Sequence, residues 1–168
     1  PPPAALRNSD HVDDIDGDDS QNIYLGNDCG ENDLSQSRGD HFIDAAGTLG
    51  MLDPGNGMGV SLGDYDNDGH IDIHVTNMSS TAGKRILERL FPDETGHVSG
   101  TRVLGKLAAG NSLFRNLGDG TYQDVSSAVG PLAAGWAWGG GFIDFDNDGW
   151  QDIHSPNGFI SGKSLKDT

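Results

Sequence analysis

Asp64, Asp66, Asp68 and Asp72 stand at positions 1, 3, 5 and 9 of one nine-residue stretch, with Gly69 at position 6. Asp144, Asp146, Asp148, Asp152 and Gly149 repeat that spacing 80 residues later, and Asp14, Asp16 and Asp18 begin it 50 residues earlier. Short carboxylates at alternate positions, with glycine at the sharp turn, build an oxygen-only cage that selects a hard cation taking six to eight such ligands, Ca²⁺ above all. The carbonyl at position 7 is a further oxygen. The expected sets are Asp64, Asp66, Asp68, the His70 carbonyl and Asp72 in the second loop, and Asp144, Asp146, Asp148, the Trp150 carbonyl and Asp152 in the third. In the first loop they are Asp14, Asp16, Asp18, the Ser20 carbonyl and Asn22, with Asp19 in the glycine position. Asn22 in place of an aspartate lowers the ligand charge, and with it the expected affinity. Carboxylates held this close without a cation repel and raise one another's pKa values. Solvated acidic turns need no fixed spacing, whereas this spacing occurs three times.

Position 12 separates the known kinds of calcium loop. An EF-hand carries a bidentate Glu there and helices on its flanks; here position 12 is Leu25, Val75 and Ser155. A calcium β-roll repeats every nine residues or so, not every fifty. Around the second loop the apolar residues alternate, Val60 and Leu62 leading in and Ile71, Ile73 and Val75 leading out, which predicts strand, loop, strand. Asn32 and Leu34, then Gly39 to Ala45, form a second element that recurs as Asn111 to Val125, where Gly118-Asp119-Gly120 predicts a hairpin turn. The repeat unit is therefore about 50 residues, with units at about 10–57, 58–135 and a truncated 136–168. The second unit holds an insertion near 79–110, in which Ser79-Ser80-Thr81 predicts the cap of a short helix with Ile86, Leu87, Leu90 and Phe91 on one face and Pro92 at its end. Lys84, Arg85, Arg89, Arg102 and Lys106, half of the basic residues, fall in it.

The runs 63–77, 111–126 and 136–150 resemble the FG-GAP/VCBS repeats of the cartilage-acidic-protein-like (ASPIC/UnbV) group, and the likeness extends from about Asp10 to Gly158. The resemblance implies an all-β fold of integrin-α-like β-propeller blades with calcium loops between strands, in secreted, cell-surface or periplasmic proteins. It carries the loop aspartates over as calcium ligands and carries over no enzyme activity. A propeller closes with about four to eight blades. The chain's 168 residues allow about three and a fraction, so the reading is one partial propeller over 1–168, completed by further blades or copies.

Composition narrows the function further. Acids number 26 against 10 basic residues, a formal charge of -16, and 23 of those acids are Asp, which favours turns and metal loops over helices. Nucleic acid is excluded as a partner, since phosphate binding needs a basic footprint. No apolar run is long enough to span a bilayer, and Pro1 to Pro3 show no signal-peptide pattern. The single cysteine, Cys29, permits no internal disulfide and reads as an idle thiol. Ser61 has the spacing of a nucleophile elbow but is expected in mid-strand rather than at a strand-to-helix turn. His74 and His154, at equivalent places, are expected to pack within blades. Trp136 and Trp138 are expected in the core and Trp150 on the surface. Asn27, Asn77 and Asn157 are strand-end equivalents, so a hydrogen-bonding role is expected at all three although Asn77-Met78-Ser79 is a glycosylation sequon. The expected function is a calcium-stabilised, non-enzymatic extracellular module for protein or glycan binding, cell adhesion or surface assembly. An accessory domain of a larger secreted enzyme and a filament subunit are the alternatives.

Overall fold

The computed structural model describes residues 7–28, 30–79, 85, 86, 89, 105–129 and 134–157. Strands β1 (Arg7–Asp13), β2 (Asn22–Asn27), β3 (Asp33–Ser37) and β4 (Phe42–Asp44) form one antiparallel sheet in chain order. Strands β5 (Gly57–Gly63), β6 (Asp72–Asn77), β7 (Ser112–Asn116) and β8 (Tyr122–Asp124) form a second of the same order. β9 (Gly141–Ile143) and β10 (Asp152–His154) pair as a third. The described residues thus make two four-stranded meanders and one two-stranded sheet.

Among the described residues, helical structure is confined to short turns: α1 (Ala46–Leu49) after the first sheet, α2 (Ser126–Val129) after the second, residues 105–109, and Arg85, Ile86 and Arg89. Ile86, expected to pack, is 56% exposed. Cys29, Pro1 to Pro3, Ser80, Thr81, Lys84, Leu87, Leu90, Phe91, Pro92, Arg102 and Gly158 lie outside the described residues.

The core lies between the first two sheets. Tyr24, Leu34, Ile73, Val75, Phe114 and Tyr122 from the strands meet Ile15 of the first loop and Ala45, Ala46 and Met51 around α1. β6 is buried along its whole length, so its polar face is covered as well as its apolar one. The strand has neighbours on both faces: Ile73 and Val75 lie in the core shared with the first sheet, and His74 meets Phe142 of β9. His74 shows the consequence. It is buried edge-on to Phe142 at 6.0 Å, and burial pulls its pKa down to about 4. Its counterpart His154 is exposed and lies 6.1 Å from Phe145. Trp136 and Trp138 contradict their expectation. Ala137 is the fully buried residue, and strand alternation turns both flanking tryptophans outward.

Asn27 and Asn77 end β2 and β6 as buried amides. The backbone N–H of Asn27 donates to Asn32 Oδ1 at 2.8 Å and that of Asn77 to Asn111 Oδ1 at 3.0 Å, which ties the second strand of each sheet to the approach of the third. The Asn77 side chain also donates to the buried Asp53 carboxylate at 2.9 Å.

Candidate metal centre

Each acidic loop joins the first two strands of its sheet, and the register that closes it is the same three times: Asp13 opposite Asn22, Gly63 opposite Asp72, Ile143 opposite Asp152. The loop interior repeats too. Position 1 accepts two backbone N–H groups, from positions 5 and 6: Asp14 from Asp18 and Asp19, Asp64 from Asp68 and Gly69, Asp144 from Asp148 and Gly149, at 2.9–3.1 Å. Position 5 accepts the N–H of position 7: Asp18 from Ser20, Asp68 from His70, Asp148 from Trp150, at 2.8–3.0 Å. These bonds require left-handed backbone at positions 4 and 6. Position 4 is Gly17, Asn67 and Asn147 and position 6 is Asp19, Gly69 and Gly149, all at φ between 54° and 87°. Asp19 therefore keeps the shape of the glycine it replaces, as Asp and Asn do more readily than other residues.

Carboxylate oxygens converge as a result. Asp14, Asp16 and Asp18 bring one oxygen each within 4.8 Å of one another, as do Asp144, Asp146 and Asp148, and in the second loop Asp64, Asp66 and Asp72. The position-9 residues have further partners. Asn22 donates to Asp16 Oδ1 at 2.9 Å and accepts the Ser37 N–H at 2.9 Å. Asp72 accepts N–H groups from Asn116 at 2.8 Å and Tyr65 at 3.2 Å, and Asp152 accepts that of Phe145 at 3.2 Å. Ser20, His70 and Trp150 follow the shared backbone pattern, with Trp150 52% exposed as expected.

Electrostatics distinguish the loops. Burial pushes the Asp72 carboxyl up to about 6, against its hydrogen bonds from Asn116 and Tyr65 and helped by Asp66 and Asp68. Burial also works against the Asp16 anion, but donors from Gln36 and Asn22 outweigh it and hold that pKa below the usual value. Asp68 is lowered by the His70 N–H and by Arg115. Arg115 escaped the sequence reading; its signal is its place in β7, where the equivalent residue of β3 is Gln36, itself a donor to Asp16. Asn67 was missed likewise: it donates to Gly149 O at 2.9 Å and links the second loop to the third. The donors that converge are all oxygen, and Asp66 Oδ1 is buried without a hydrogen-bond partner, so the residues fit a hard divalent cation. Ser61 lies inside β5 with its Oγ 3.5 Å from His74 Nδ1, and mid-strand placement gives it no nucleophile elbow. No helix among the described residues is long and apolar enough to cross a membrane.

Residues 103–155 match the FG-GAP-like repeat family. The match joins the second half of the second sheet to the third loop and its two strands. The chain is 28% identical to cartilage acidic protein 1 of Homo sapiens over 168 aligned positions, covering 80% of this chain and 25% of that protein. It is 26% identical to cartilage acidic protein 1 of Mus musculus, with 80% and 26% covered. It spans about a quarter of the length of these relatives. Residues 103–155 thus resemble an FG-GAP-like repeat, and over 80% of its length the chain is similar in sequence to the cartilage acidic proteins.

Proposed function

We propose that this chain is a calcium-stabilised module of a propeller-type protein that works outside the cell as a binding or assembly unit rather than as an enzyme. One observation carries the reading: three loops, far apart in sequence, use one hydrogen-bond pattern and bring aspartate oxygens to a common point. Asp14, Asp16 and Asp18 would hold a cation in the first loop, with the Ser20 carbonyl and Asn22. Asp64, Asp66, Asp68 and Asp72 with the His70 carbonyl would do so in the second, and Asp144, Asp146, Asp148 and Asp152 with the Trp150 carbonyl in the third. The bound cation supplies positive charge that offsets the repulsion and fastens each hairpin across its open end.

Extracellular sites of this class function at Kd values of about 10⁻⁴ to 10⁻³ M, because calcium is plentiful there. An extracellular setting is also supported by the likeness to the cartilage acidic proteins. Partners are proposed to be protein or glycan surfaces, met through exposed residues such as Trp150, or further blades and copies. Equilibrium dialysis against millimolar Ca²⁺ tests the reading. Three ions per chain are expected, falling to two in Asp148→Ala; no bound calcium in the folded chain would refute it.

A further inference from the structure

We propose that Arg115 sets the cation affinity of the second loop by competing for its carboxylates, an inference that rests on the calcium reading. Arg115 Nε lies 2.6 Å from Asp66 Oδ2 and Nη2 lies 3.1 Å from Asp68 Oδ2, so one guanidinium engages two of the four aspartates in that loop. The Nε contact is charge attraction rather than an aligned hydrogen bond, since its N–H has no acceptor in line.

Cluster membership reflects this pairing. In the first and third loops the convergent oxygens come from positions 1, 3 and 5; in the second they come from positions 1, 3 and 9. Asp68, the position-5 residue, is the one bonded to Arg115 Nη2. Asp66 meanwhile keeps Oδ1 buried without a donor, so the guanidinium serves one oxygen of that carboxylate and leaves the other unsatisfied.

The other two loops lack this arrangement. In the first sheet the equivalent residue is neutral Gln36, and the Arg38 to Asp18 pair, at 3.5 Å, is exposed on both sides. The third loop has four aspartates and no Lys or Arg ion pair among the described residues. Ligand charge alone would rank the second and third loops together. Arg115 separates them, because a cation entering the second loop must first displace a positive charge from Asp68 and share Asp66 with it. The third loop binds first, and the second fills at higher calcium.

Calorimetric titration of the chelator-stripped chain with CaCl₂ tests this, using wild type, Arg115→Gln and Arg115→Lys, with circular dichroism to establish folding. Arg115→Gln is expected to tighten one site by roughly three- to ten-fold, the range for two partly exposed ion pairs, and the gain should shrink in high salt. The gain should persist in an Asp148→Ala background and vanish with Asp64→Ala, which places it in the second loop. Arg115→Lys keeps the charge without the fork and should show a smaller gain; it carries the test if Arg115→Gln does not fold. Unchanged or weaker binding in a folded Arg115 variant, beside a wild type that binds, overturns the competition alone. A wild type that binds no calcium overturns the calcium reading and the competition with it.

Discussion

Asn77 donates through its side chain to a carboxylate that is 1% exposed, and its own amide is equally buried. Removing that donor leaves Asp53 Oδ2 buried without it, a cost of about 1–3 kcal/mol that is larger for a charged group. Asn77→Ala should therefore lower the urea midpoint with no change in slope, and an unchanged midpoint would show that Asp53 is satisfied otherwise. The same burial leaves no room for a glycan at the sequon, so the chain expressed through a eukaryotic secretory pathway should show no added mass at Asn77 by intact mass spectrometry. This role was legible from repeat equivalence, because Asn27 has no sequon and does the same work. Trp136 and Trp138 were not legible in the same way: alternation says that they share a face and does not say which face is covered. Arg115 was hidden because its partners lie 47 and 49 positions away, and only the register of β6 with β7 brings them together.

Among the elements, the acidic loop was the most legible, since its chemistry is local. The side-chain bonds that shape it run between residues two to five positions apart, and the aspartates at positions 1 and 5 are the acceptors that those bonds use. Position 4 carries a second message, that Gly or Asn stands where the backbone is left-handed. Asn67→Ala adds strain of about 1 kcal/mol at that φ and loses the bond to Gly149 O, whereas Asn67→Gly loses only the bond. Thermal melts should rank wild type, Asn67→Gly and Asn67→Ala in falling order; equal melting of the two variants would remove the backbone explanation. The turns α1 and α2 gave no such signal, because four residues are too few for a helical period to show. Asp44 Oδ1 and Asp124 Oδ1 start them by accepting the N–H of Ala46 and Ser126, at 3.2 and 3.1 Å.

For the whole molecule, the sheets associate through close approach as much as through the apolar core. A Cβ on Gly140 would lie 2.8 Å from His154 O and 2.8 Å from Thr76 Cγ2, between the second and third sheets. Gly140→Ala is expected to destabilise by about 1–3 kcal/mol, the range for overpacking, and a neutral result in denaturant would mean that the third sheet shifts freely. Tyr122 joins the first two sheets through its hydroxyl, 2.8 Å from Ile15 O and 3.1 Å from Ile71 O, with one proton to donate between them. Phe42, at the same place in the first sheet, is 55% exposed, since the preceding sheet that such a residue reaches is absent among the described residues.

Calorimetric melting in millimolar Ca²⁺ and in excess chelator shows whether cations in the loops hold this fold together. A site at ten times its Kd adds about 1.4 kcal/mol, so three add about 4 kcal/mol. At about 2–4 °C per kcal/mol for a chain of this size, the melting temperature should fall on the order of 10 °C when calcium is removed. Coincident melting in calcium and chelator would mean that the fold does not depend on bound calcium.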